Sequence, residues 1–342
     1  MSSVTLWAHW RDSRYTSFYK SLFVKKTYLI RLIMGIDAKY NCNFCNSCCS
    51  CDDETELEKG NNMSLKDWKY YNHAVIPAVE PHEQPDLTCI RDKSIWKVGG
   101  GIPLLARWAS NFDCGYETSW WYCIKDDVFD ITRLSSSYRY KIKKGKKLFD
   151  VKKINPVQYS DEIFQVYHDA YLSWPEKYRP DFSIEDAKKL ANKLFKQTNM
   201  ICYGAFYKEN QELCGIMLAP VYAHHVELQV QRVKPKYEKY QINAALVEHL
   251  MTEYETKLRN SDFYVVDGER SIRHETAFQD YLEKYFGFRK AYCKLNVIYR
   301  FPLNIMVKIL YPFRKFISSE DRIGSMVSAI LKMEEYRRQC TV

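Results

Sequence analysis

Along the second half of this 342-residue chain the spacing of apolar residues switches repeatedly between two periods, and each switch delimits an element. Val226, Leu228 and Val230 alternate with polar neighbours as far as Val233, the period-2 signature of a strand. The run breaks at Pro235. From Ile242 onward the apolar positions Ile242, Ala245, Leu246, Leu250, Tyr254 and Leu258 fall on one face of a 3.6-period helix. Phe263–Val266 predicts a short strand, and Phe278, Tyr281 and Leu282 a helix. Gly287-Phe288 then predicts a turn before an alternating strand through Ala291, Cys293, Leu295, Val297 and Tyr299.

The preceding segment extends the pattern. Pro156–Leu172 places Ile163, Val166, Tyr167 and Ala170 on a helical face, and Ser183 with Asp186 forms a capping-box signature ahead of Ala187, Leu190, Ala191 and Leu194. Ile201–Tyr207 and Cys214–Tyr222 read as strands around a turn at Lys208–Gln211. Nearer the N-terminus, Ser94–Val98, Pro103–Phe112 and Ser119–Lys125 are expected strands. Gly99-Gly100-Gly101 lacks a following helix, so it is expected to be a hairpin turn. A basic helix follows Asp130, with its N-cap among Ser135–Ser137. His224-His225 is expected to be a turn. Residues 1–62 form a cysteine-dense, weakly periodic extension, and compact sequence begins at Met63.

The strand, proline-containing loop and helix around Val233, Pro235 and Tyr237 resemble the GNAT superfamily of N-acyltransferases. In that family a Val-x-Pro-x-Tyr strand end leads to a loop and helix N-terminus whose backbone N–H groups hold the donor's pyrophosphate. The resemblance implies donor binding by Val233, Lys234, Tyr237, Lys239, Gln241, Ile242, Asn243 and Ala244. The sequence departs from the pattern in the loop, where Glu238-Lys239-Tyr240-Gln241-Ile242-Asn243 replaces the family's glycine-rich run. Glycines let backbone approach a phosphate closely.

A second resemblance lies upstream. Leu134-Ser135, Arg139, Ile142 and Lys144-Gly145 form a helix pattern similar to one in the Fem-type peptidoglycan-bridge aminoacyltransferases, which pair two GNAT-like domains. The implied fold is α+β: a GNAT-like mixed, mostly antiparallel sheet flanked by helices, preceded by a degenerate first GNAT-like half. Residues 63–148 would form that first half, 149–300 the acyltransferase domain, and 301–342 an amphipathic helical tail. The implied activity is transfer of an acyl or aminoacyl group to an amine of a sugar, lipid or peptide precursor, with a place in cell-envelope chemistry. The donor stays open between an acyl-coenzyme A and a charged tRNA. A catalytically inactive binding module and a membrane-peripheral scaffold are the alternatives.

Charge sharpens this picture. The chain carries a net +9, and Leu134–Lys153 alone has eight Lys or Arg against Asp150, a local excess of +7. Such a segment attracts phosphate-rich partners, tRNA among them, which makes Arg139 and Lys143 candidate substrate-binding residues. Transfer to an amine needs a base, and the polar end of the Phe263–Val266 strand supplies Asp267, Glu269 and His274 as candidates. Arg270 is a candidate for holding an anionic group.

Cys42, Cys45, Cys48, Cys49 and Cys51 have a spacing that suits zinc or an iron–sulfur cluster. No second Cys or His pair follows to complete a structural site, and no metal is expected. The first 20 residues contain Arg11, Asp12, Arg14 and Lys20 and lack an apolar core, so a reducing, cytoplasmic compartment is expected. Phe301–Ile317 mixes apolar residues with Lys308, Arg314 and Lys315. It suits either a membrane interface or packing on the domain, and packing is the expectation.

Overall fold

The computed structural model describes residues 65–272, 277–317 and 322–340. The chain divides into two compact units. Of the described residues, 65–272, 277–300 and 332–340 belong to the larger, and 301–317 and 322–331 to the smaller.

The larger unit has the α+β architecture expected, with a mostly antiparallel sheet flanked by helices. It opens with the hairpin β1 (Trp68–Tyr71) and β2 (Ala74–Pro77). Asn72 and His73 both adopt positive φ there, as a two-residue hairpin loop matched to strand twist requires. Strands β3 (Leu105–Ser110) and β4 (Trp120–Lys125) follow as expected. Ser94–Lys97, expected to be a strand, is a 3-10 turn entered from Lys93 at φ 64°. The glycines after it do not turn a hairpin, because β3 runs parallel to β2. They make room for Tyr70: a Cβ on Gly101 would sit 2.6 Å from the Tyr70 ring.

The basic segment folds as helix α1 (Ser136–Leu148), N-capped by Ser135 accepting from the Tyr138 N–H, and continues into β5 (Phe149–Lys153). Helices α2 (Ser160–Leu172) and α3 (Ile184–Lys196) come next, and α3 carries the anticipated capping box between Ser183 and Asp186. Then come β6 (Met200–Tyr207), β7 (Leu213–Pro220), β8 (His225–Glu227) and β9 (Val230–Val233). His225 therefore belongs to a strand rather than a turn. It stacks between Tyr222 and Tyr264, and its Nδ1 lies 2.9 Å from a Glu80 carboxylate oxygen.

Every residue of β7 is buried because both of its faces are covered. Leu213, Ile216 and Leu218 join a core with Ile163, Val166 and Tyr167 of α2, whereas Cys214, Met217 and Ala219 face the other core. That second core is built on α4 (Ile242–Glu253), through Ile242, Ala245, Leu246 and Leu250. The single helix expected through Leu258 breaks at Tyr254 and resumes as α5 (Glu255–Asn260). Strand β10 (Tyr264–Glu269), α6 (Ala277–Phe286) and β11 (Arg289–Tyr299) complete the sheet architecture.

Two sheets result, ordered β1-β2-β3-β11-β4-β10-β8 and β5-β6-β7-β9. Strand β11 lies between β3 and β4, antiparallel to both, so segments 63–148 and 149–300 share one sheet. After Arg300 come α7 (Leu303–Leu310) and α8 (Arg322–Gln339). Among the described residues no helix is long and apolar enough to cross a membrane.

Helix α1 is seated on the start of α4 through Gly145, where an added Cβ would lie 2.5 Å from the Gln241 carbonyl oxygen. An exposed helical Gly→Ala change normally gains about 1 kcal/mol. Here the clash with backbone reverses the sign: Gly145→Ala is expected to lose about 1–3 kcal/mol. Urea denaturation measures it, and a gain in midpoint would disprove this packing.

Candidate active site

The strand from His225 to Val233 changes partners partway. Its first part, β8, runs parallel to β10 with Tyr264 opposite His225 and Val266 opposite Glu227. The Leu228 N–H still donates to the Val266 carbonyl, but the next N–H, of Gln229, donates to Leu218 of β7. From there β9 pairs antiparallel with β7, Val230 opposite Leu218 and Val233 opposite Gly215. Strand β10 meanwhile stays with β4 through Glu269 opposite Tyr122. The two sheets thus fork beyond Val266. In the second sheet β9 is the edge strand, so alternate backbone groups point out of the sheet.

At the end of β9 the chain passes Lys234, a 3-10 turn at Pro235–Tyr240 and Gln241 in the left-handed conformation (φ 68°) before α4 begins. No side chain caps α4, and its first turn carries no acidic residue. The N–H groups of Ile242, Asn243 and Ala244 lack intrahelical acceptors by helix geometry, and the helix dipole adds partial positive charge there. Asn243 is tied to the strand, its Oδ1 accepting from Gln231 Nε2 at 2.7 Å.

The cations around this turn are anchored. Lys234 and Lys236 donate to Glu212 at 2.8 and 3.1 Å, and the Tyr237 hydroxyl donates to it at 2.5 Å. Burial alone would raise the Glu212 carboxyl, but these three donors outweigh it and hold it down at about 2. Lys144 of α1 donates to the Lys239 carbonyl at 3.0 Å, and the Lys239 ammonium lies 5.0 Å from the Tyr240 ring centre. Val233 is buried at the strand end.

Asp267 stands on β10 just past the fork. Burial pushes its carboxyl up to about 8, with the Glu227 charge adding to the rise and a hydrogen bond from Gln279 opposing it. Glu227, the last residue of β8, is itself raised by burial, with Lys69 opposing. Two carboxyls whose pKa burial raises therefore flank the point where the sheets part. Gly268 follows at φ 88°, a conformation suited to glycine.

The other candidates occupy different surroundings. Glu269 pairs with Arg107 and accepts from Trp120 Nε1 at 3.2 Å. The Arg270 guanidinium lies 4.2 Å from the Trp121 ring and 4.0 Å from the Tyr336 ring, and donates to the Ser119 carbonyl at 2.7 Å. Arg139 donates to the Thr132 carbonyl at 3.1 Å, and Lys143 is exposed on α1. His274 and the Cys42–Cys51 cluster lie outside the described residues.

Sequence reasoning missed Glu227, Gln279 and Glu212. Glu227 carried a signal, since it is the one acidic residue in an alternating apolar strand. Glu212 and Gln279 gain meaning only through tertiary contacts. His82, in the turn at 81–83, also bonds across the fold, with Nδ1 2.9 Å from the Tyr264 hydroxyl.

No family model matches the chain, and no curated protein matches it. Among solved structures it is similar to the ribosomal-protein-alanine N-acetyltransferase from Escherichia coli at 16% identity and a TM-score of 0.25, over 32% of this chain and 61% of that one. It is similar to L-PGS from Bacillus licheniformis at 14% identity and a TM-score of 0.41, over 72% of this chain and 84% of that one. An acetyltransferase of the GNAT family from Streptococcus pneumoniae matches at 17% identity and a TM-score of 0.26, over 32% and 68%.

The two carboxyls have opposite pH signatures. The folded Asp267 binds a proton up to about pH 8, while the unfolded side chain releases it near 3.8. The folded state therefore holds more protons across that window, and this contribution to stability is lost as pH rises through it. Asp267→Asn should flatten the pH dependence between about 4 and 8 and exceed the parent in urea midpoint above pH 8. For Glu212→Gln, three donors lose a charged acceptor, and a loss of about 1–3 kcal/mol at pH 7 is expected. Because the Glu212 carboxyl is held low, the contribution it makes is present above about 4.5 and fades as pH falls toward 2.

Proposed function

We propose that the chain is an N-acyltransferase of the GNAT type, using the fork between β9 and β10 as its acyl-transfer site. The observation that carries this reading is the handover of backbone pairing at Leu228–Gln229 with the uncapped start of α4 at the far end of β9. Donor phosphates would rest on the first-turn N–H groups of Ile242, Asn243 and Ala244. The acyl arm would run along the free edge of β9 toward the fork, where outward N–H groups receive the carbonyl oxygen as it gains charge.

The acceptor amine attacks the carbonyl carbon of the donor thioester or ester. A carbon–nitrogen bond forms, the tetrahedral oxyanion collapses, and the carbon–sulfur or carbon–oxygen bond breaks. Asp267 in its carboxylate form takes the proton the amine sheds, and the departing thiolate or alkoxide picks up a proton from solvent. A base that titrates near the working pH is suited to this task. The donor class comprises acyl-coenzyme A and aminoacyl-tRNA, and the acceptor is an amine of a sugar, lipid or peptide precursor.

A second reading, a binding module that kept the fold, is favoured by Gln241. It holds a left-handed conformation where glycine would serve without strain.

Calorimetry with acetyl-coenzyme A, longer acyl-coenzyme A esters and aminoacyl-tRNA, followed by turnover assays on amine acceptors, separates the readings. Turnover is expected to have kcat/KM rising with pH and levelling above about 8. Asp267→Asn should lower kcat by roughly 10²–10⁴-fold and remove that limb. Unchanged turnover in this variant would exclude Asp267 as the base, and donor binding without turnover on any amine would favour the binding module.

A further inference from the structure

Helix α7 is apolar on two opposite sides. Leu303, Val307 and Leu310 are buried and line one apolar pocket with Val327, Ile330 and Leu331 of α8, within the smaller unit. That packing accounts for the inner side. On the outer side Ile305 is 47% and Ile309 59% exposed, one turn apart, and in the flanking sequence Phe301 is 74% and Phe316 77% exposed. Of the 14 exposed large hydrophobic side chains among the described residues, five fall within Phe301–Phe316. Scattered exposed hydrophobics need no explanation, whereas a contiguous set does.

Charge identifies what covers this surface. Between Arg300 and Ile317 the sequence has Arg300, Lys308, Arg314 and Lys315 and no Asp or Glu. Lys308 and Lys315 are exposed beside Ile309 and Phe316. A second copy packed face to face would bring its own Lys308 and Lys315 against these lysines and be repelled. A segment with protruding aromatic and branched apolar side chains and uniformly basic flanks is the form that lies in a lipid interface. Its apolar side chains enter the acyl boundary while the lysines meet anionic headgroups. No helix among the described residues spans a bilayer, so this contact would be peripheral.

We propose that Phe301–Phe316 docks the protein onto an anionic lipid surface. The inference stands independently of the acyltransferase reading. It is tested by sedimentation of the full chain with vesicles of phosphatidylcholine alone and of phosphatidylcholine with 30% phosphatidylglycerol, about the anionic content needed to create a strong surface potential. Binding is expected only to the anionic vesicles and should weaken with added salt.

Ile305→Asp with Ile309→Asp should reduce partitioning by about a hundredfold, and Lys308→Gln with Lys315→Gln by about tenfold. These side chains are exposed, so thermal unfolding should match the parent and show that the fold persists. Three results would overturn the proposal: no binding to anionic vesicles, equal binding by the parent and the Ile305/Ile309 variant, or a parent dimer that this variant dissociates.

Discussion

The fold turns on one exchange of backbone hydrogen bonds. At Leu228 the strand still donates to β10, and at Gln229 it has begun to donate to β7. A strand can serve two sheets in this way because each residue has one N–H and one C=O, and losing one partner is tolerated only where another takes over. The switch divides the strands into two sheets, places α4 against β7 and leaves β9 with an open edge. Had β9 remained beside β10, the result would have been one continuous sheet with no cleft.

Environment then gives similar side chains different states. Glu212 and Asp267 are both partly buried carboxyls, yet one is held ionised and the other near neutrality. Glu212 is surrounded by three donors. Asp267 has Gln279 as a hydrogen-bond donor and the acidic Glu227 nearby. The lysines near the start of α4 meet the same carboxylate: Lys234, buried at the strand end, places its ammonium 2.8 Å from a Glu212 oxygen. The charge excess of Leu134–Lys153 is also partly compensated within the fold, since Lys146 pairs with Glu248 and Lys153 with Glu253.

Local chemistry was legible wherever the deciding interaction is local. The α3 capping box joins residues three apart, and the Ser135 cap, the β3 and β4 strands and the β9–α4 junction all follow from short-range pattern. The errors lie where distant residues decide. Ser94–Lys97 is the local exception, a 3-10 turn entered from Lys93 at positive φ, whereas Gly100 and Gly101 are small because Tyr70 occupies the space above them. His225 is drawn into a strand by Tyr264 and Glu80, the latter 145 residues away. Asp267 could be singled out as the polar end of a strand, but the burial that alters its protonation could not.

Strand β11 has a consequence for how the chain is made. It closes the gap between β3 and β4, and Asn296 meets Trp108 across 188 residues. During synthesis the first four strands emerge long before the strand that joins β3 to β4, so their inner edges wait unpaired. Sheet closure is consequently a late event, available only once nearly all of the larger unit has left the ribosome. Until then the exposed edges are open to pairing with other chains, and chaperone protection in that interval bears on the yield of folded protein.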